Sequence, residues 1–587
     1  MKNFFKMVLA TFVGVILAGI VGFFLLLISI GVMMSAALSS GSSETVAVKP
    51  NTVYRIMFDR PITERSTSGI SNNLLSFSIE NTIGLNDILK TIDQAATDPN
   101  ISLIYMDLST LQVGMAHLEE IRNALIAFKD SGKPIIAYGD NFSQGAYYLA
   151  TVADKIYLNP YGSASLTGLS AEVMFYKNLL EKLGIEMQVI RHGKFKSAVE
   201  PFMLDKMSPE NREQYMTFIN SIWGHWLNEI CAARQLNVAK LHNLMNNLEL
   251  ESAQQALDNG LVDELLYKDE LLSRLMILVN VSSENKLAMI DVAEYARVPK
   301  KKEKLSRDKI AVVYADGDIT MGKGTEGITA WNMANTLRSI RSDKSIKAVV
   351  FRVNSPGGSA QASEIIAREL MLLKEQKPVV ISMGNYAASG GYWISVPASK
   401  IISNPTTLTG SIGVFGVIPN AKKGMNNHLG ITVDVAKSNE SADYPSIMRP
   451  LTTRERDATQ ASVELIYSQF IDKVAIAREM NRESVDAIGQ GRVWSGVDAL
   501  KIGLVDELGG ISDAIYAAAE LAGLDNYRTV ELPAIRTPFE QLLESFMKGE
   551  ISIKANLPQE VKTLEQFYKE IKEPGVYARM PFDVNVR

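Results

Sequence analysis

"IKAVVFRVNSPGGSAQASEIIARELMLLKEQKPVVISMG", from Ile346 to Gly384, sets two β-branched apolar runs on either side of a stretch with helical spacing. "IKAVVFRVNS" reads as a buried strand, "SAQASEIIARELMLLKEQ" as an amphipathic helix and "PVVISMG" as the next strand. Strand, helix, strand in succession implies a parallel sheet with crossover helices, hence an α/β fold. Functional groups in such folds gather where strands end and helices begin. Two glycine-rich segments stand at such places: "NSPGGSA" (Asn354–Ala360) after the first strand and "GNYAASGGYW" (Gly384–Trp393) after the second.

Working outward, the same text recurs earlier in the chain. "KPIIAYGD" from Lys133 answers "KPVVISMGN" from Lys377, "ADKIYLNP" from Ala153 answers "ASKIISNP" from Ala398, and "SLTG" at Ser165 answers "TLTG" at Thr407. "LGI" at Leu183 answers "LGI" at Leu429, and "QALDNGLVDEL" from Gln255 answers "DALKIGLVDEL" from Asp498. The offset stays between 242 (Ser165 to Thr407) and 246 (Leu183 to Leu429). Order and spacing held over so many matches mark a tandem duplication.

The 587 residues divide accordingly: a first copy over 51–297, a charged linker over 298–308, a second copy over 309–525 and a tail over 526–587 to which no role is assigned. Ahead of them lie a stub (1–6), an almost wholly apolar run (7–38) and a polar tether (39–50). That run exceeds the roughly 20 residues a membrane-crossing helix needs and the usual length of a cleavable signal, so an uncleaved anchor is expected. "SAA" at Ser35–Ala37 leaves cleavage as an alternative. Lys2 and Lys6 precede the run, which leaves the stub cytoplasmic and exports the rest. A net charge of −5 without a basic, aromatic-rich stretch argues against nucleic acid. The single cysteine, Cys231, excludes an intrachain disulfide and any multi-cysteine metal site, and we expect neither metal nor cofactor.

The chemistry centres on Ser389 in "AASGG". A turn there offers free backbone N–H groups, and Gly390 and Gly391 admit close approach of another backbone. Gly357 and Gly358 in "SPGGS" can turn N–H groups toward a developing oxyanion. A serine nucleophile needs a base. None of the five histidines (His117, His192, His225, His242, His428) lies in a motif resembling a nucleophile's partner. Lys196 in "HGKFKSAVEPF" sits among Phe195, Ala198, Val199 and Phe202, an apolar setting that would lower its pKa. Taken singly, Ser389 could be a helix cap and Lys196 a surface lysine. The duplication weakens both readings together. Ser389 maps back onto Gln144 in "GDNFSQGAYY", and Lys196 maps forward onto Ala442. Each copy has kept one member of a pair and lost the other, as one shared site requires.

"NSPGGS", "MGNYAASGGYWIS", "NPTTLTGSIGV" and "GKFKSAVEPF" together resemble the long, two-copy form of signal peptide peptidase A (protease IV), from the anchor to about residue 525. The resemblance implies a fold related to ClpP and the crotonases and a membrane-bound serine endopeptidase acting on cleaved signal peptides and other apolar, extended peptides. It implies Ser389 as nucleophile, Lys196 as general base, Ser411 as the serine that orients the lysine, and Gly390 with Gly357 or Gly358 as oxyanion donors. It further implies a homotetrameric ring and an inner-membrane location with the catalytic body in the periplasm. Asn385 departs from the family pattern, where glycine is familiar. A crotonase-type acyl-CoA enzyme and a non-catalytic scaffold of degenerate protease fold are the competing readings.

Overall fold

In the computed structural model the described residues are 6, 11–22, 47–66, 68–70, 79–299, 306–322, 327–535 and 576–580. Most of the tether, the middle of the linker and most of the tail lie outside them. Of the apolar run 7–38, only 11–22 are described; they are helical with exposed side chains. Among the described residues no helix is long and apolar enough to cross a membrane.

The duplication is visible strand by strand. In the first copy a parallel sheet runs in the order Glu264–Leu265, Lys155–Leu158, Ile135–Gly139, Ile101–Asp107, Thr52–Met57, Met289–Asp291. The second copy repeats it as Glu507–Leu508, Lys400–Ser403, Val379–Ala388, Ile346–Ser355, Lys309–Asp316, Arg528–Leu532. These strands are apolar on both faces because helices cover both sides, which is why they read as continuous hydrophobic runs. The last of them lies beyond residue 525, so the second sheet takes in the start of the tail. The strand expected to end at Gly384 continues to Ala388, and the turn comes only at Ser389.

Caps repeat as well. Helices Pro209–Arg234 and Thr453–Arg478, 26 residues each, start on Ser208 and Thr452, whose hydroxyls accept from the N3 backbone. Both end on a left-handed residue, Gln235 and Glu479, and both final arginines reach back, to the Gly260 and Gly503 carbonyls.

A third sheet joins the copies. Glu186–Arg191 of the first pairs antiparallel with Phe415–Asn420 of the second, in register from Glu186↔Asn420 to Arg191↔Phe415. Beyond Phe415 the sheet continues through Val576–Arg579 of the tail, Gly357–Ser359, Ile319–Thr320 and Ile328–Thr329. The first copy's core likewise takes in Ala388, Leu408 and Val493 of the second and Met580 of the tail. Buried charges bridge the same seam. Arg352 Nε donates to Glu64 at 2.9 Å, and Nη2 forms an ion pair with Glu120 at 2.7 Å. Glu64 also meets His117 Nε2 at 2.8 Å, and Glu120 accepts from Asn404 and from the Ile511 N–H.

Candidate active site

Ser389 ends the strand Val379–Ala388 and precedes the helix Gly390–Ser395, at φ 56° and ψ −113°. That conformation is strained for a residue with a Cβ. Its side chain makes no capping bond to the helix, so the simple cap reading of this serine fails. The backbone is held instead: Ser389 N–H donates to the Gly410 carbonyl at 2.8 Å, and its carbonyl accepts from Trp393 N–H at 2.8 Å.

Lys196 comes from the first copy, in the loop after Glu186–Arg191, and docks on the second. The Phe195 N–H donates to the Gln490 carbonyl at 3.1 Å. Gly491, at φ 85°, is required here: a Cβ on it would lie 2.6 Å from both Cβ and N of Lys196. Gln214 ties loop to scaffold, donating to the Phe195 carbonyl and Ser197 Oγ while its own carbonyl accepts from Val493 N–H. Cross-copy strand pairing thus delivers the lysine to the serine.

Lys196 Nζ lies 2.8 Å from Ser389 Oγ, 2.9 Å from Ser411 Oγ and 3.2 Å from the Ser411 carbonyl. All three residues are fully buried. No carboxylate partners the ammonium among the described residues. Burial without a counter-charge pushes the Lys196 pKa well below its ordinary value of 10.5. The amine nitrogen thus has three oxygen neighbours, and the Ser389 hydroxyl is itself directed to the Gly413 carbonyl at 3.4 Å. Ser411 is anchored in turn, its N–H on the Arg492 carbonyl at 2.7 Å and its hydroxyl directed to the Gly491 carbonyl at 3.3 Å.

Gly357 and Gly358 have φ of 110° and 153° and line the space beside Gly390. The Gly357 N–H is turned to Ser355 Oγ at 3.2 Å, whereas Gly358 N lies 3.1 Å from where a Cβ on Gly390 would stand. Both glycines lie beside Gly390, a Cβ on Gly357 standing 2.8 Å from Gly390 N, but the Gly357 N–H is already engaged.

The first copy's corresponding turn is closed. Gln144 Oε1 accepts from the N–H groups of Thr167 (3.0 Å) and Gly168 (2.6 Å), and its Nε2 donates to the Gly168 carbonyl (2.9 Å). The residue in the serine's place stitches the loop that corresponds to the one holding Ser411. His192 stacks on Tyr467 at 3.7 Å and bonds Glu464 at 2.6 Å, outside the Lys196–Ser389–Ser411 cluster. Asn385, the departure from the family pattern, accepts from Ala116 N–H at 3.0 Å and so caps the first copy's helix Met115–Phe128, whose own cap residue is Gly114.

A crossed-over pair of α/β copies with a lysine–serine contact at the seam is the setting in which the comparisons fall. Residues 127–282 and 371–525 each match Peptidase family S49. The chain is 37% identical to "Protease 4" of Salmonella typhi over 92% of its length and 88% of that protein's. It is 34% identical to "Protease 4" of Haemophilus influenzae, covering 96% and 92% of the two chains. It is 34% identical to the chloroplastic "Serine protease SPPA" of Arabidopsis thaliana, covering 78% and 69%. The chain belongs to peptidase family S49, in its long two-copy form, and is a serine peptidase.

Proposed function

We propose that this serine peptidase works through a Ser389–Lys196 dyad assembled from its two copies. The observation that carries the reading is the 2.8 Å approach of a fully buried, uncompensated lysine amine to the Ser389 hydroxyl. Neutral Lys196 takes the hydroxyl proton as Oγ attacks a peptide carbonyl, then returns it to the leaving amine. Ser411 keeps the amine pointed at Oγ. Gly390 and Gly358 offer N–H groups to the oxyanion, where fixed donors are worth several kcal/mol, typically about 3–4 each. The crotonase-type alternative is disfavoured, because such an enzyme would have no use for the buried lysine. Kinship with ClpP stays part of this proposal, supported by the alternating strands and helices.

Substrates are extended, apolar peptides such as signal-peptide remnants, since a site at a strand edge receives an unfolded segment most readily. The apolar run 7–38 anchors the catalytic body to the outer face of the inner membrane, and the chains close as a tetrameric ring. The test is direct. Ser389→Ala and Lys196→Ala each lose at least about a thousand-fold in kcat on a fluorogenic peptide while keeping the native circular-dichroism spectrum. A serine-directed acylating probe labels the wild type and spares Ser389→Ala. Turnover in Lys196→Ala within tenfold of wild type would remove the lysine from the mechanism.

A further inference from the structure

We propose that Tyr467 is a positioning residue for the base: this one side chain of the second copy fixes both the loop that carries Lys196 and the turn that seats it. This rests on the Ser–Lys reading above. Tyr467 is buried on the helix Thr453–Arg478, and both its parts are engaged. Its ring stacks on His192, which opens the lysine's loop, with centroids 3.7 Å apart. Its hydroxyl donates to Asp486 Oδ1 at 2.5 Å and accepts from the Gln490 N–H at 3.1 Å. Asp486 Oδ2 accepts in turn from Gln490 Nε2 at 3.2 Å. Burial and the neighbouring carboxylate push the phenol well above its ordinary value of 10.0, so it stays the donor toward Asp486.

The turn 490–492 sets the lysine and its orienting serine together. The Gln490 carbonyl accepts from the Phe195 N–H, and a Cβ on Gly193 would stand 2.4 Å from that same oxygen. Gly491 lies against Lys196 itself, while its carbonyl faces Ser411 Oγ at 3.3 Å. The Arg492 carbonyl accepts from the Ser411 N–H at 2.7 Å. Gln490 and Gly491 have φ of 52° and 85°, and for Gln490 that left-handed conformation is disfavoured. It persists only where neighbours over-determine it. Yet Gln490 borders an open cavity of about 600 Å³, lined also by His192, Gly193, Lys194, Tyr467 and Asp486. On that side the phenol and its carboxylate are what hold the turn.

The duplication supplies the comparison. The two 26-residue helices correspond from Pro209 and Thr453 onward, which sets Trp223 opposite Tyr467. The caps Asn237 and Asn481 of the next helices keep the same offset and set His242 opposite Asp486. An indole has no hydroxyl, and His242 bonds Asn246 of its own helix. The phenol–carboxylate pair thus stands only in the copy whose turn seats the lysine. Without the hydroxyl, Gln490 is free to move toward the cavity and Gly491 recedes from Lys196. Water then reaches the amine, solvation favours its charged form, and it keeps its proton to higher pH. The amine also loses its aim at Ser389 Oγ, for which small displacements are costly.

Steady-state kinetics of the full chain on a fluorogenic peptide read the outcome, with active sites counted by a serine-directed acylating probe. Tyr467→Phe keeps the ring on His192 and loses only the hydroxyl. Its kcat per active site falls about tenfold with KM within about twofold of wild type. The pH at half-rise of its kcat/KM moves up by at least about half a unit. Asp486→Ala, at a half-buried position, reproduces these effects without touching the helix that carries Tyr467. The double variant is no worse than either single one, since both act through Gln490. Asp486→Asn keeps an acceptor for the phenol and recovers about fivefold of the loss. A half-rise that stays put in Tyr467→Phe and Asp486→Ala overturns the inference whatever happens to kcat or melting temperature, for a merely structural residue leaves it unmoved. Additive losses in the double variant, or Asp486→Asn as slow as Asp486→Ala, overturn it too and leave the dyad standing. Turnover in Lys196→Ala near that of wild type overturns the dyad, and this inference with it.

Discussion

At Ser389 the backbone takes a conformation that non-glycine residues avoid, and the surrounding ladder holds it there with bonds to Gly410 and Trp393. Strain of this kind costs about 1–3 kcal/mol and persists only where neighbours over-determine it. Ser389→Gly should therefore be more stable than Ser389→Ala by about 1 kcal/mol in urea unfolding, although both are inactive. Equal stabilities would mean the turn is unstrained. Lys196 carries a related cost. The unfolded chain holds the lysine proton up to its ordinary value of 10.5, while the folded chain gives it up at lower pH. Between those limits the unfolded state binds more protons, so stability rises with pH, and below the folded pKa the penalty is full. Lys196→Met should thus be more stable than wild type near neutral pH, with the gap closing toward pH 10. Peptidase activity should rise with pH over the range in which Lys196 becomes neutral. An acidic optimum would contradict the assignment of base.

Elements, more than single residues, separate what the amino-acid order shows from what it hides. The long strands and helices of each copy are periodic and are read directly. The dyad is readable because the copies can be laid over each other, exposing Gln144 and Ala442 as complementary losses. The third sheet is not readable: Gly357–Ser359 is three residues of glycine and serine, and Val576–Arg579 lies in a tail without a repeat partner. Nor are the seam contacts, because Arg352 and Glu120 look like ordinary residues of their own elements until the copies dock, and nothing in the sequence says what Asn385 touches. At that seam desolvation would raise the Glu64 pKa, but Arg352 and His117 hold it down to about 2. Its contribution is present above the ordinary carboxylate range and is lost as pH falls from about 4.5 through about 2. Removing the guanidinium leaves two buried carboxylates without their main partner. Arg352→Met should cost about 3–5 kcal/mol. A loss under 1 kcal/mol would mean that water or rearrangement replaces the pairing.

Across the whole molecule, one chain contains both halves of the proposed site, joined by the pairing of Glu186–Arg191 with Phe415–Asn420. Mixed assemblies of Ser389→Ala and Lys196→Ala chains should accordingly stay inactive, since neither chain holds a complete pair. Recovery of turnover on co-assembly would mean that the lysine reaches a neighbour's serine. The same pairing has a consequence for the order of events during synthesis. The proposed base is made first, at position 196, but the proposed nucleophile follows at 389, and the glycine that seats the lysine comes only at 491. A ribosome that has finished the first copy has made Gln144 where the second copy has its serine, and so no nucleophile for the proposed pair. On the proposed mechanism, attack becomes possible only once residue 491 of 587 has been made. A nascent peptidase threaded past other unfolded chains is thereby disarmed by nothing more than the order of its own codons.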